Sequence, residues 1–175
     1  MPIFRKAEEK DIDIIEQIYS DVISCEEKGL SEIGWIRGVY PTRQTAEDAL
    51  FRGDLFVMED GGAVVGSAVI NKRQVEEYKD GTWQYSASDS EVMVLHTLVI
   101  SPSVAGRGYG KAFVDFYEKY ALSNGCPYLR MDTNERNVRA RAMYKKLGYS
   151  EIGIVPCDFN GIKGIGLVLL EKKLV

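Results

Sequence analysis

The chain has 175 residues, 45% hydrophobic and 27% charged, the balance of one folded domain rather than a disordered tail, a collagen-like repeat or a coiled coil. Twenty-two Lys and Arg against 26 Asp and Glu leave a net charge of −4, which speaks against a non-specific nucleic-acid binder and against an anionic membrane surface as partner.

Residues 3–6 read as a first strand. Ile12, Ile15, Ile18, Tyr19, Val22 and Ile23 then recur at helical spacing, with Gly29 as the stop. Segment 30–41 has no clean period and reads as a loop, after which Thr42 caps a short helix over 43–52 that ends at Gly53. Apolar, β-branched runs at 54–59 and 63–71 flank Asp60-Gly61-Gly62, a hairpin signal. Residues 72–90 are polar apart from Tyr78, Trp83 and Tyr85 and read as a long loop, functional or carrying further structure. The nearly continuous apolar run 91–101 suits a strand covered on both faces, and Pro102 ends it. A glycine-rich turn at 105–110 opens a helix carrying Phe113, Phe116, Tyr117 and Tyr120. A strand at 127–132, a helix at 137–147 stopped by Gly148, and strands at 149–155 and 165–171 around Asn160-Gly161 complete a single domain over 1–175. The order β-α-α-β-β-β-α-β-α-β-β makes an α/β domain with a mixed sheet.

Cys25, Cys126 and Cys157 are odd in number and far apart, so they frame no disulfide scaffold and fit a reducing cytoplasm. With His96 the single histidine, a His-rich metal site cannot be built. Charge appears at Arg5-Lys6 before any signal-type apolar stretch, and no window approaches the roughly 18 apolar residues of a membrane span.

The turn Ala105-Gly106-Arg107-Gly108-Tyr109-Gly110-Lys111 lies between a buried strand and a helix, where free backbone N–H groups and the helix dipole suit a phosphate. A Walker A reading fails, because Ala105 replaces the first glycine and Ala112 the hydroxyl; a Rossmann reading fails at Lys111. Taken alone, the pattern is equally a plain tight turn.

Leu98-Val99-Ile100-Ser101-Pro102 followed by this turn resembles the acetyl-CoA signature of the GNAT superfamily of N-acetyltransferases, Arg/Gln-x-x-Gly-x-Gly/Ala. Gly108 and Gly110 match its glycines; Ala105 departs from its basic or amide position, with Arg107 and Lys111 nearby. Asn137-x-x-Ala140-x-x-x-Tyr144-x-x-Leu147-Gly148-Tyr149 resembles the family's late helix and following strand, and the element order agrees from residue 3 to 171.

The resemblance implies a GNAT-like mixed, splayed sheet flanked by helices, opening between strands 91–101 and 127–132. It implies transfer of an acetyl group from acetyl-CoA, a cosubstrate, to a primary amine on a small molecule or a protein, by direct attack in a ternary complex. No metal is implied, and no nucleic acid or membrane partner; the oligomeric state, a homodimer included, stays open. The backbone of Leu98, Val99 and Ile100 would pair with the pantetheine arm, the Leu98 N–H polarising the thioester, and residues 105–111 would seat the pyrophosphate. Tyr144 would donate to the leaving sulfur, with Asn137 a helix cap and cofactor contact. A non-catalytic acyl-CoA sensor would keep the turn and dispense with acid and base.

An attacking amine must shed a proton. Strand 92–98 has no internal carboxylate, so His96, placed by period-2 alternation on the same face as Leu98, is the expected base, with Glu91 behind it. For the acceptor the sequence offers aromatic side chains in irregular segments, Trp35, Tyr40, Trp83 and Tyr85, which serve equally to pack those segments onto the sheet.

Overall fold

The computed structural model describes residues 1–175. Strand β1 (Ile3–Lys6) is followed by α1 (Ile12–Glu27), α2 (Arg43–Arg52), β2 (Leu55–Asp60), β3 (Ala63–Asn71), β4 (Val92–Ile100), α3 (Tyr109–Ser123), β5 (Tyr128–Asn134), α4 (Val138–Lys146), β6 (Ser150–Phe159) and β7 (Ile162–Lys173). The expected element order holds throughout. All seven strands join one sheet in the order β1-β2-β3-β4-β5-β7-β6, and β4 and β5 form its parallel pair.

Local chemistry explains the boundaries. The apolar stripe of α1, from Ile12 to Ile23, is buried, and Gly29 turns the chain away at φ +70°. Thr42 and Thr45 close a reciprocal capping box on α2. Gly61 and Gly62 both take positive φ, as a two-residue turn between twisted strands requires. Asn160-Gly161 does the same between β6 and β7, and that hairpin runs further than its apolar pattern suggests, through Pro156–Phe159 and Ile162–Gly164.

Helices α3 and α4 cover one face of the sheet over a core of Phe113, Tyr117, Leu129, Met131 and Tyr144. Helices α1 and α2 cover part of the other, over Ile15, Tyr19, Leu55, Val57 and Val99. The rest of that face is closed by segment 72–90, which holds two short 3-10 turns, Glu76–Asp80 and Asp89–Glu91. A buried pair pins this segment. The Arg130 guanidinium stacks 4.1 Å over Trp83 and donates to Gln74 Oε1 and the Tyr85 carbonyl, while Glu171 accepts from the Gln84 N–H at 2.8 Å.

Candidate active site

The β4–β5 ladder runs from Val92 opposite Tyr128 to Leu95 opposite Met131 and stops there. Strand β4 nevertheless continues to Ile100 and β5 to Asn134, so the sheet opens between them. Strand β5 keeps its pairing to β7 over its whole length, which leaves the β4 edge beyond Leu95 without a neighbour on this side.

At the opening β4 bulges. Ser67 pairs with Val99 and Val69 with His96, leaving Thr97 and Leu98 together opposite one β3 residue. Thr97 takes φ +49°, a rare conformation for a β-branched residue. The bulge corrects the expectation that His96 and Leu98 share a face. Leu98 and Ile100 pack on the α3–α4 core, whereas His96 stands opposite Val69, on the α1–α2 face with Val99. Simple alternation fails because one extra residue reverses the side-chain parity.

The glycine turn lies at the mouth on the α3 side. Gly106 (φ +81°) and Gly108 (φ +77°, the N-cap of α3) face open space, with nothing within 4 Å of where a Cβ would stand. Ala105, Arg107 and Tyr109 stand in the same turn, and the Tyr109 hydroxyl donates to Asp60 on β2. Lys111 pairs with Asp115 at 2.6 Å one helical turn on. Gly110 lets α3 approach α4, since a Cβ there would meet Met143 Sδ at 3.3 Å. On α4, Asn137 is the N-cap, accepting from the Ala140 N–H at 3.2 Å. Tyr144 is buried beside Tyr149, with ring centroids 5.9 Å apart. Burial and the nearby Asp132 push its phenol well above 10, so it is a proton donor at neutral pH.

On the opposite side of the sheet a groove of about 620 Å³ is bounded by α2, segment 73–77 and the tip of the β6–β7 hairpin, and its lining includes Tyr40, Asn71, Glu77, His96, Thr97 and Phe159. Tyr40 is hydrogen-bonded to Thr97, tying the α1–α2 loop to the bulge. Trp35 packs between Tyr19 and Tyr40. Trp83 does not reach the groove; it lies over Tyr78 and Arg130 and donates to the Tyr78 carbonyl at 2.8 Å. Tyr85 lies against Tyr128.

His96 Nε2 lies 2.9 Å from Asn71 Oδ1, which also accepts from the Arg73 N–H; Asn71 Nδ2 donates to Asp54. These bonds assign the Nε2–H tautomer and leave Nδ1 as the lone pair. Burial lowers the imidazole to about 4, so the ring is neutral at physiological pH and a weak base. Glu91, the second base candidate, folds back onto Ser88 as a cap, away from the opening.

A carboxylate absent from the expected set stands at the opening instead. Asp132 is the first β5 residue beyond the last β4 partner, and Tyr78 donates its hydroxyl to Asp132 Oδ2 at 2.7 Å. Burial raises this carboxyl to about 6, against the lowering effect of the Tyr78 bond. In the sequence it closes a strand, where carboxylates are common; the available signal was its alternation with Arg130 on the polar face of Leu129-Arg130-Met131-Asp132.

A parallel strand pair prised apart beside a glycine turn and a bulged strand defines the acetyltransferase class of α/β domain, and the family comparison agrees. The chain belongs to the acetyltransferase (GNAT) family, whose sequence model matches residues 15–149. It is 29% identical over 93 residues to streptothricin acetyltransferase of Escherichia coli, a match covering 53% of this chain and 48% of that one. An acetyltransferase of Yersinia enterocolitica matches at 29% over 93 residues, 53% of this chain and 55% of its own. The chain thus spans about half the length of these curated relatives. Among solved structures, a GNAT-family acetyltransferase of Streptococcus agalactiae superposes with TM-score 0.83 at 24% identity, over 99% of this chain and 96% of its own. A Salmonella typhimurium protein solved with its cofactor acetyl-CoA superposes at 0.69 and 14% identity, over 100% and 95%. At these identities the structural likeness is one of fold.

Proposed function

We propose that the chain transfers an acetyl group from acetyl-CoA to a primary amine, of a small molecule or a protein, by direct attack in a ternary complex. The observation that carries this reading is the sheet opening: an unpaired β4 edge for the pantetheine amides, ending at a turn whose two left-handed glycines leave room for phosphate against backbone N–H groups. Acetyl-CoA supplies the activated acyl group. Leu98, which shares one β3 partner with Thr97 in the bulge, is the residue whose N–H we assign to polarise the thioester carbonyl. Tyr144, held protonated on the α4 side, is the donor to the departing sulfur. The amine enters from the opposite groove, past Tyr40 and Phe159, with His96 as a neutral wall residue. The three unpaired cysteines support a reducing compartment, the cytoplasm.

Two measurements test the reading. Calorimetry should show acetyl-CoA binding, and thiol release should rise above the uncatalysed rate with at least one amine in a panel that includes amino acids, polyamines and lysine-bearing peptides. Absence of binding overturns it. Binding without acetyl transfer to any acceptor would make the chain an acyl-CoA sensor.

A further inference from the structure

We propose that Tyr40 holds the β4 bulge in its left-handed turn through Thr97, and thereby aims the Leu98 N–H at the thioester carbonyl. The proposal rests on the acetyl-transfer reading and deepens it with a positioning residue, one that acts through Thr97 whatever it also offers an acceptor. The Leu98 N–H belongs to the peptide plane that follows Thr97, so the φ and ψ of Thr97 decide where it points. Thr97 takes φ +49°, a region that a β-branched residue keeps only when its surroundings hold it there.

The residues around it are each fixed by other means. His96 is bonded to Asn71 at 2.9 Å, Val99 is buried in the α1–α2 core, and Leu98 packs on the α3–α4 core. Thr97 makes a single side-chain hydrogen bond, and its partner is the Tyr40 hydroxyl. Without that bond Thr97 can relax toward ordinary strand dihedrals, which swings the following peptide plane and carries the Leu98 N–H off its target.

Tyr40 arrives braced. Its N–H donates to the Ile36 carbonyl at 3.0 Å, and the Ile36 N–H donates back to the Tyr40 carbonyl at 3.2 Å. Arg37, inside this turn, donates to Ser20 Oγ and Ser24 Oγ on α1, both at 2.8 Å. Trp35 stands edge-on to the Tyr40 ring with centroids 6.2 Å apart. Burial pushes the phenol up to about 12, so its proton stays in place at neutral pH. A loop on the acceptor side, anchored to α1, thus sets the geometry of a donor on the cofactor side.

The test is isotope-edited infrared spectroscopy of acetyl-CoA, ¹³C-labelled at the acetyl carbonyl, in the binary complex where no acceptor contributes. In the wild type the carbonyl band should lie below that of free acetyl-CoA, because a hydrogen bond weakens the C=O bond. Tyr40→Phe keeps the ring against Trp35 and should return the band toward the free position, with acetyl-CoA affinity nearly unchanged by calorimetry. Thiol release, to water or to an amine found in the panel, should fall on the order of 10–10²-fold. Thr97→Val removes the same bond from its other end and should act alike, and the double variant should be no worse than either single one. Thr97→Ser should keep the wild-type band. Thr97→Gly reaches positive φ without a side-chain clash and should be insensitive to Tyr40→Phe. A wild-type band at the free position overturns the proposal, as do Tyr40→Phe and Thr97→Val proteins that bind acetyl-CoA with the wild-type band. A Tyr40→Phe loss undiminished in the Thr97→Gly background overturns it as well. A wild type that does not bind acetyl-CoA counts against the acetyl-transfer reading itself. The Tyr40–Thr97 tie is then decided by urea unfolding of the same two variants and their double, where strictly additive losses overturn it.

Discussion

On the α3–α4 side of the opening the site is mostly backbone: a bulged strand edge, two left-handed glycines and the N-terminus of α3. Across the sheet, the groove is mostly side chain, delivered by α2, the α1–α2 loop, β3, segment 73–77, β4 and the β6–β7 hairpin. Backbone geometry is encoded over a few consecutive residues, because glycine and proline act where they stand. A wall built from six segments exists only after the chain has folded. The cofactor side is therefore a local device and the acceptor side a collective one, and the two should fail in different ways.

The largest difference should appear at Arg130, which fastens segment 72–90 to the sheet. Arg130→Ala leaves the Glu171 carboxylate buried without its cation, a loss of about 3–5 kcal/mol. Urea unfolding should show it, and the fraction still folded should bind acetyl-CoA near normally while acceptor turnover collapses. Replacing the pair together, Arg130→Met with Glu171→Leu, should recover most of the stability. Equal loss of both bindings in Arg130→Ala would erase the distinction between the two sides.

Tyr144→Phe probes the same contrast through chemistry. The ring still packs on Tyr149, so acetyl-CoA affinity should hold while kcat falls on the order of 10²-fold, about 2.7 kcal/mol of barrier. An unchanged kcat where chemistry limits turnover would return Tyr144 to the core. Smaller again is Gly108→Val. Its φ of +77° imposes strain of about 1–2 kcal/mol on any side chain, and a Cβ would fill the space left for phosphate. Acetyl-CoA affinity should drop about tenfold, roughly 1.4 kcal/mol; unchanged affinity in a folded variant would remove the turn from the site.

What the sequence disclosed follows the same division. Leu98–Pro102, Gly106–Gly110 and the Asn137–Tyr149 helix-and-strand stretch marked fold and cofactor side, since each acts through local geometry. The bulge at Thr97 was hidden, because neither Leu95-His96-Thr97-Leu98 nor Ser67-Ala68-Val69 opposite it carries the glycine or proline that announces irregular pairing. That single hidden residue moved His96 to the other face. Asp132 stayed out of sight for a longer-range reason: its environment depends on Tyr78, 54 positions away, in a segment with no periodicity.

The smallest effect separates His96 from Asp132 by the sign of their linkage to stability. His96 falls from 6.5 to about 4 on folding, so between those values the unfolded chain binds more protons and stability rises with pH. Asp132 rises from 3.8 to about 6, so there the folded chain binds more protons and stability falls with pH. Over pH 4–6 the two slopes oppose each other, each up to about 1.4 kcal/mol per pH unit and nearer 1 after screening of these half-buried groups. Removing one should expose the other. Relative to wild type, His96→Gln should lose stability as pH rises through the window, and Asp132→Asn should gain it. A substitution that merely disturbs packing shifts the whole curve without tilting it, so the slope of the difference is the informative readout. Urea midpoints across that window give it directly, and the double variant should regain a slope near that of the wild type. Parallel curves for His96→Gln and wild type would mean that the imidazole keeps its ordinary titration in the fold, and that the groove wall is wetter than its geometry implies.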